Sequence, residues 1–181
     1  NSYGNMVDLK NNFNIKKIDY IYNLFDIDTI KELSKTDIEI KKRRFTFVTV
    51  GRLDNGKNHR LIIEAMKSIE ADLWIIGDGE LREELLSYIK ELNLNDKVYL
   101  LGKKENPFAF LAKADCFVFT SNHEGFPNVL VEALACSLPV ISTDCKSGPR
   151  EILSPKSNFS FQLKDDIELA EYGILTPIND L

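Results

Sequence analysis

The sequence predicts an α/β protein, a three-layer sandwich in which helices cover both faces of a mostly parallel sheet of about six strands. Short apolar runs of strand length alternate with helical segments between Phe45 and Thr176, and this alternation is typical of β-α-β units. The runs are apolar along most of their length, as expected for strands that are buried on both faces of a parallel sheet.

The strands are recognised by their β-branched and aromatic residues. Phe45 to Val50 (FTFVTV) is the first run, and Asp72 to Ile76 (DLWII), which ends in the turn Gly77-Asp78-Gly79, is the second. The other four strands are predicted at Lys97 to Leu101, Asp115 to Thr120, Pro139 to Thr143 and Gly173 to Thr176. A further short strand is expected before them, from Ile18 to Tyr22.

The segments between the strands carry apolar residues at helical spacing. Leu81, Leu85, Ile89 and Leu92 predict one amphipathic helix. A second helix, His59 to Ile69, is predicted to bury Leu61, Ile62, Ala65, Met66 and Ile69. The remaining helices are expected at Asn1 to Ile15, at Thr29 to Leu33 with Asp28 as cap, at Pro107 to Ala114, around Val129 to Leu134, after Gly148-Pro149 and at Ile167 to Tyr172.

Composition and charge exclude several classes of protein. Apolar residues make up 44% of the chain and charged residues 28%, which is ordinary for a globular protein and excludes intrinsic disorder. The net charge of −5 indicates no surface for nucleic acid. No apolar run reaches the roughly 18 residues that a membrane span needs, and the polar start NSYGNMVDLK does not have the pattern of a signal peptide.

The three cysteines lie within or beside apolar segments. Cys116, Cys136 and Cys145 are odd in number and form no C-x-x-C pair, so reduced thiols are expected rather than disulfides or a zinc site. His59 and His123 are too few for a metal cluster. A cytoplasmic protein is therefore expected.

The most informative stretch runs from Ser121 to Thr143. Between Gly125 and Ile141 its only charged residue is Glu132, in a helical run that is otherwise apolar or small. A carboxylate in such surroundings is costly unless donors hydrogen-bond to it. Glu124 stands eight residues earlier, in the turn before the helix. Together the two acids predict a ligand site.

Other polar residues follow the carboxyl ends of strands, where the loops of such Rossmann-like folds bind ligands. They are Arg52, Lys57, Asp78, Lys104, Asn106, Glu124 and Asp144. Arg52 suits a diphosphate through bidentate hydrogen bonds and Lys57 through its point charge. The alternative is that both are surface cations beside Asp54.

The sequence contains partial matches to two nucleotide-binding motifs. Gly51 to Lys57 has the spacing G-x-x-x-x-G-K of a P-loop, but Asn58 stands where Ser or Thr would hold magnesium. Gly77-Asp78-Gly79 lacks the third glycine of a dinucleotide fingerprint, because Arg82 takes its place. An ATP- or GTP-binding P-loop module stays an alternative, and a dehydrogenase is disfavoured.

Taken together, these segments resemble the carboxyl-terminal, donor-binding half of retaining nucleotide-sugar glycosyltransferases with the GT-B fold (family 4, or group 1). The matching segments are FVTVGRLDNGKN, WIIGDGELREEL, VYLLG, ADCFVFTSNHEGFPNVLVEALACSLPVIST, GPREIL and GILTP. The most specific is the E-x7-E pattern of Glu124 and Glu132, between the GRL-x-x-x-K turn and the PVIST strand. In GPREIL, Gly148 and Glu151 are predicted only to fix a loop–helix junction.

The resemblance implies roles for individual residues. Arg52 and Lys57 grip the diphosphate of the donor, Glu132 accepts hydrogen bonds from the ribose hydroxyls, and Glu124 lies near the transferred sugar. Backbone amides at the start of the helix face the phosphates. The implied nucleotide-sugar site comprises Gly51, Arg52, Lys57, Gly102, Lys104, Asn106, Glu124, Gly125, Phe126, Pro127, Asn128, Val129 and Glu132, with Arg52, Lys57 and Glu124 as catalytic residues.

The implied reaction is transfer of a sugar from a UDP- or GDP-sugar to an acceptor hydroxyl with retention of configuration, in bacterial cell-surface glycan synthesis. Arg52, Lys57 and the helix amino terminus would stabilise the departing diphosphate, so no metal or other cofactor is expected. Glu124 is either a covalent nucleophile or a residue that positions the sugar, and the resemblance favours the second role.

The resemblance also implies a division of the chain. Residues 1–17 are expected to be a remnant of an amino-terminal domain or a linker, and residues 18–181 a donor-binding domain truncated at its carboxyl-terminal end. The acceptor, a glycan or lipid-linked sugar, would bind through the missing domain, so nucleotide binding without useful turnover is expected. Peripheral contact of the full-length enzyme with the inner face of the membrane stays open. The competing interpretations are a UDP-sugar epimerase of the same fold and a non-catalytic nucleotide-binding module.

Overall fold

A computed structural model describes residues 1–13, 15 and 17–178. Its strands are β1 (Thr46–Val50), β2 (Asp72–Ile76), β3 (Val98–Gly102), β4 (Cys116–Phe119), β5 (Val140–Thr143), β6 (Glu168–Ala170) and β7 (Gly173–Thr176). They form one seven-stranded sheet in the order β3-β2-β1-β4-β5-β7-β6. All neighbours run parallel except β6 and β7, which are antiparallel. The predicted α/β fold with a mostly parallel sheet is confirmed, with one strand more than expected.

The α-helices of the described residues are α1 (Tyr3–Phe13), α2 (Ile27–Ser34), α3 (His59–Ala65), α4 (Arg82–Glu91), α5 (Phe108–Leu111), α6 (Asn128–Ala135) and α7 (Pro149–Leu153). All of them fall within predicted helical segments or extend those segments by one or two residues. The helix expected from Asn1 to Ile15 is shorter than predicted, and Asn14 lies outside the described residues.

The hydrophobic core has two parts, one on each face of the sheet. Successive side chains of a strand point to opposite faces. In β2, Leu73 and Ile75 therefore pack with Leu85 of α4, whereas Trp74 packs with Leu130 of α6. All five side chains are at most 2% exposed, and burial of an apolar side chain of this size contributes roughly 1.5–3 kcal/mol. The three layers follow from this alternation.

Two predicted elements are wrong. Ile167 to Tyr172 is not a helix, because Ile167 and Leu169 are exposed and Glu168–Ala170 pairs with β7 across a short turn. Ile18 to Tyr22 is not a strand: within the described residues this segment pairs with no other strand, and its Tyr20 and Tyr22 rings instead pack 5.2 Å apart.

Two helix details also differ from the prediction. The cap of α2 is Asp26 rather than Asp28, since Oδ1 of Asp26 accepts a hydrogen bond from the backbone N–H of Thr29 at 3.0 Å. After Ala65, α3 tightens into a 3-10 turn, Met66–Ser68. The buried face also differs from the predicted one: Ile63 is buried, Leu61 is only half-buried, and Ala65 and Ile69 are exposed.

Candidate functional site

The loop after β1 carries two of the predicted site residues, Arg52 and Lys57. Oδ1 of Asp54 accepts a hydrogen bond from the backbone N–H of Lys57 (3.1 Å) and caps the 3-10 turn Asn55–Lys57. Asn58 follows in the left-handed region, with φ 47°, and α3 begins at the next residue. The Thr120 hydroxyl donates to the carbonyl of Lys57 (2.9 Å), which ties the loop to the end of the neighbouring strand β4.

Lys57 and Glu124 meet at this edge of the sheet. Nζ of Lys57 lies 2.5 Å from Oε1 of Glu124, and the two side chains are 27% and 11% exposed. The ammonium group also lies 5.7 Å from the ring centroid of Phe119. In such a partly buried place an ion pair is screened little by solvent. The structure thus joins two predicted site residues that come from different loops.

Arg52 lies apart from this pair. Its side chain is 77% exposed, and its Nε is 3.7 Å from Oδ2 of Asp54. With Gly51, Asp78 and Lys104 it lines a cavity of about 400 Å³ at the carboxyl ends of β1, β2 and β3. The two basic residues of the loop therefore face different parts of the same edge.

The segment after Gly102 supplies one residue to this cavity and uses another for packing. Gly102 ends β3 with φ 71°, and Lys104 lies beyond it with its Nζ 5.3 Å from the ring centroid of Phe110. Asn106 donates through Nδ2 to the carbonyl of Leu33 (2.9 Å) and accepts the Ala109 N–H (3.4 Å). Its side chain thereby ties α5 to α2.

The predicted residues Gly125, Phe126, Pro127, Asn128 and Val129 form the turn into α6 and its first positions. Its N-cap residue is Pro127, whose side chain makes no capping hydrogen bond. The first N–H groups of a helix have no partners within the helix and carry partial positive charge. This turn is therefore able to bind an anion.

Glu132 is the predicted buried acid of α6. It is half-buried, and within the described residues its side chain has no ion-pair or hydrogen-bond partner. Burial raises the pKa of its carboxyl above the ordinary range. A carboxylate kept partly from water without donors is destabilising. It is also free to accept hydrogen bonds from a ligand.

Two buried polar groups below the Lys57 loop were not predicted. His59 is 3% exposed, and burial lowers its pKa to about 4. Within residues 1–13, 15 and 17–178, neither Nδ1 of His59 nor the buried Oγ of Ser121, which follows β4, has a hydrogen-bond partner. Both line a small space beneath Lys57. No local pattern marks them, since His59 occupies an ordinary helix-start position in the sequence.

Asp144, although it follows a strand, is not available to a ligand. Its Oδ2 lies 2.7 Å from Nη2 of Arg150 and accepts the backbone N–H of Leu163 at 2.8 Å, and both charged side chains are at most 5% exposed. Asp144 and Arg150 border a second cavity, of about 460 Å³, between α1 and the loops after β5 and α7. On the buried side of this cavity, Asp144 and Arg150 are already paired with each other.

The cysteines behave as predicted: all three are free. Burial raises the pKa of Cys116 and of Cys136 to about 11, and that of Cys145 to about 12, so they are thiols at neutral pH. His123 is exposed. Among residues 1–13, 15 and 17–178, no His, Cys, Asp and Glu side chains form a group of three or more suited to a metal, and no helix there is long and apolar enough to traverse a bilayer.

Comparison with known proteins gives a consistent result. The sequence profile of the glycosyl transferases of group 1 matches residues 30–175. The N-acetylgalactosamine-N,N'-diacetylbacillosaminyl-diphospho-undecaprenol 4-alpha-N-acetylgalactosaminyltransferase of Campylobacter jejuni is 44% identical over 185 residues, which cover 99% of this chain and 50% of that protein. The chain spans about half or less of the length of the curated relatives that it matches.

Two solved structures have a similar fold. HepE of Anabaena in complex with UDP is 25% identical, with a TM-score of 0.64 over 74% of this chain and 40% of that one. TarM of S. aureus, solved with fondaparinux, alpha-GlcNAc-glycerol and UDP, gives a TM-score of 0.72 over 84% of this chain and 31% of that one. At 23% identity, the likeness to TarM concerns the fold alone.

Proposed function

The chain belongs to the glycosyl transferases of group 1, and from this premise we propose that it is the donor-binding domain of a retaining enzyme that transfers a sugar from a UDP- or GDP-sugar to an acceptor hydroxyl. The observation that carries the proposal is the meeting of Lys57 and Glu124 just before the amino terminus of α6. A cation and helix N–H groups suit phosphates, and an adjacent carboxylate suits sugar hydroxyls.

The diphosphate would lie between the Lys57 loop and α6. Lys57 supplies a partly buried positive charge, and the backbone N–H groups of Gly125, Phe126, Asn128 and Val129 supply neutral donors. Arg52 is exposed on the other side of its loop and would reach the phosphates by a change of rotamer. The same groups act electrostatically as a metal ion would, so we propose binding that needs no metal.

The ribose would be held by Glu132. Its half-buried carboxylate has no partner in the described residues and a raised pKa. Two neighbouring hydroxyls of a ribose supply two donors to one carboxylate. Such bonds would offset the cost of its partial burial. This accounts for an acid in an otherwise apolar helix.

The base would occupy the cavity of about 400 Å³ that Gly51, Arg52, Asp78 and Lys104 border. This volume lies within the range of small-ligand pockets. The cavity lies on the β3 side of β1, whereas Glu124 follows β4 on the other side. A donor would thus lie along the edge of the sheet, with its base above β1 to β3 and its sugar above β4.

In the transfer, the bond between the anomeric carbon and the diphosphate oxygen breaks, and the acceptor oxygen bonds to that carbon on the same face. The acceptor proton passes to the departing diphosphate. Negative charge grows on the leaving oxygen, where Lys57 and the helix N–H groups stabilise it. Glu124, released from Lys57, would accept hydrogen bonds from the sugar hydroxyls. We propose that the acceptor is a glycan or lipid-linked sugar of cell-surface synthesis, and that it binds to the part of the full enzyme outside this chain.

Calorimetric titration of the chain with UDP, GDP, ADP and ATP, in EDTA and in Mg²⁺, tests the proposal. We expect UDP or GDP to bind equally well in both solutions. Loss of a hydrogen bond to a charged group corresponds to roughly 10–100-fold in affinity, so Lys57→Ala and Glu132→Ala should weaken binding by about that factor. Glu91→Ala, at the exposed end of α4, is the control and should change nothing.

Two outcomes would contradict this function. Binding of ATP that requires Mg²⁺ would favour the P-loop interpretation, in which Asn58 would have to give up its hydrogen bond to Asn122 (3.2 Å). Failure of both UDP and GDP to bind would remove the donor assignment. Useful turnover by this chain alone would show that the acceptor also binds here.

A further inference from the structure

The carboxylate of Glu151 joins three separate segments of the chain, and we propose that Glu151 is a positioning residue for the loop formed by Gly125 to Asn128, here called the donor loop. The proposal rests on the proposed function, which assigns the donor loop to the diphosphate. The sequence pattern predicted only that Glu151 fixes its own loop–helix junction.

The carboxylate is buried among neutral donors. Glu151 is 7% exposed. Its Oε2 accepts the backbone N–H of Tyr3 (2.8 Å) and the hydroxyl of Tyr22 (3.0 Å). Its Oε1 accepts the backbone N–H groups of Gly4 (3.1 Å) and Gly148 (3.3 Å). Four neutral donors thus satisfy the hydrogen-bonding capacity of a carboxylate that is shielded from water.

Two of these donors belong to the first turn of α1, whose N–H groups have no partners within the helix. Tyr3 and Gly4 donate to Glu151, and the N–H of Asn5 donates to Oγ of Ser2 at 3.1 Å. Glu151 therefore caps α1 from a helix almost 150 residues away along the chain. Its negative charge also lies at the positive end of the α1 dipole. α1 is thereby docked on α7.

Each segment that Glu151 holds also touches the donor loop. Gly148 has φ 93°, and a Cβ there would overlap the ring of Pro127 and lie 3.2 Å from the carbonyl oxygen of Gly125. A Cβ at Gly125 would in turn lie 2.8 Å from Nδ2 of Asn5, in α1.

The third segment reaches the loop through an aromatic ring. The ring of Tyr22 lies 5.1 Å from the ring of Phe126, and the next residue, Asn23, donates to Oδ1 of Asn128 at 2.6 Å. The donor loop is thus held from three sides by elements that share one carboxylate. Backbone N–H groups bind an anion best when their orientation is fixed beforehand.

Hydrogen exchange on the chain tests this arrangement directly. In Glu151→Gln, an NH₂ group replaces one of the two carboxylate oxygens. The donors that bonded to that oxygen then face another donor and lose their acceptor. We expect exchange of the donor loop amides and of the first turn of α1 to accelerate about tenfold, as loss of one such interaction implies. Tyr22→Phe, which removes one donor and keeps the ring, should accelerate the loop by a smaller factor.

The matched control is Glu168→Gln. Glu168 also accepts hydrogen bonds around α7, from Arg150 (2.9 Å) and Ser154 (2.9 Å), but has no contact with the donor loop in the described residues. We expect it to lower the unfolding midpoint while leaving exchange of the donor loop and UDP affinity unchanged. Glu151→Gln should weaken UDP binding about tenfold, and saturating UDP should restore protection of the loop.

Unchanged exchange of the donor loop in Glu151→Gln would overturn the inference, and so would equal effects of Glu151→Gln and Glu168→Gln. The exchange measurement needs no ligand. Failure of the unsubstituted chain to bind UDP and GDP would therefore refute the proposed function alone, while the exchange of the loop would still decide the role of Glu151.

Discussion

The ammonium of Lys57 lies 2.5 Å from a carboxylate oxygen of Glu124, although 67 positions separate the two residues. They meet because their loops follow β1 and β4, which are neighbours in the sheet. Under the proposed function, the cation for the diphosphate and the acid for the sugar hold each other when no ligand is bound. Donor binding then has to open this pair.

The first prediction concerns this competition. Glu124→Gln should bind UDP, which lacks the sugar, about threefold tighter than the unsubstituted chain, because Lys57 no longer has a competing anion and the diphosphate no longer faces a carboxylate. Titration calorimetry measures the change, with Lys57→Ala as the opposing variant. If Glu124→Gln instead weakened UDP binding as much as Lys57→Ala does, Glu124 would be a ligand of the nucleotide rather than a competitor.

The second prediction concerns the cost of the ribose acid. Glu132→Gln should raise the unfolding temperature of the ligand-free chain at pH 7 and weaken nucleotide binding. Because burial raises the pKa of Glu132 in the folded state, the folded chain binds more protons than the unfolded chain just above the ordinary carboxyl pKa. Its ionisation therefore destabilises the fold as pH rises.

Thermal unfolding of both proteins across pH 4 to 7 checks this sign. The advantage of Glu132→Gln should shrink as the pH falls towards the ordinary carboxyl pKa. Glu91→Gln, at the exposed end of α4, serves as the control and should show no such trend. A lower unfolding temperature for Glu132→Gln at pH 7 would mean that the carboxylate has a stabilising partner in solution.

The third prediction concerns the buried pair of Asp144 and Arg150. Arg150→Met should destabilise the chain by about 3–5 kcal/mol, because it leaves the carboxylate of Asp144 buried without its cation. Urea unfolding measures the change, and Asp144→Asn combined with Arg150→Met should recover part of the loss. Lys156→Ala, which breaks the exposed pair with Glu171, should leave the urea midpoint in place. If Arg150→Met and Lys156→Ala shifted the urea midpoint equally, the pair of Asp144 and Arg150 would not be buried in solution.

The fourth prediction concerns pH and His59. Burial lowers its pKa to about 4, against about 6.5 in an unfolded chain. Between these values the unfolded chain binds more protons, so the stability that depends on neutral His59 is lost as pH falls from about 6.5 to 4, by up to about 3 kcal/mol. His59→Gln should remove this part of the pH dependence, and exposed His123→Gln should not. Identical pH profiles for the two variants would show that His59 is accessible to protons in the folded state.

Sequence patterns predicted the regular part of the fold because its elements are decided locally. The predicted strand Asp72 to Ile76 has the same bounds as β2. All five of its residues are buried, as expected for a short apolar run in the middle of a parallel sheet. The helix predicted at Ile167 to Tyr172 was wrong for the opposite reason. Ile167 and Leu169 are exposed, and part of the segment is a strand only because it pairs with β7. Glu132 could be singled out as a candidate because a lone charge in an apolar helix is visible in the sequence without any knowledge of its neighbours in space.

The sequence itself determined the order of strands and helices along the chain, the loops that carry cations and the acid within α6. Each of these features depends only on the spacing and the apolar character of nearby residues. The tertiary structure alone decided that Lys57 meets Glu124, that Asp144 is taken by Arg150, and that Glu151 reaches α1. The first contact requires β1 and β4 to be neighbours in the sheet, the second requires α7 to lie against the loop after β5, and the third requires α1 to dock on α7. These arrangements follow from tertiary packing, which no local pattern records.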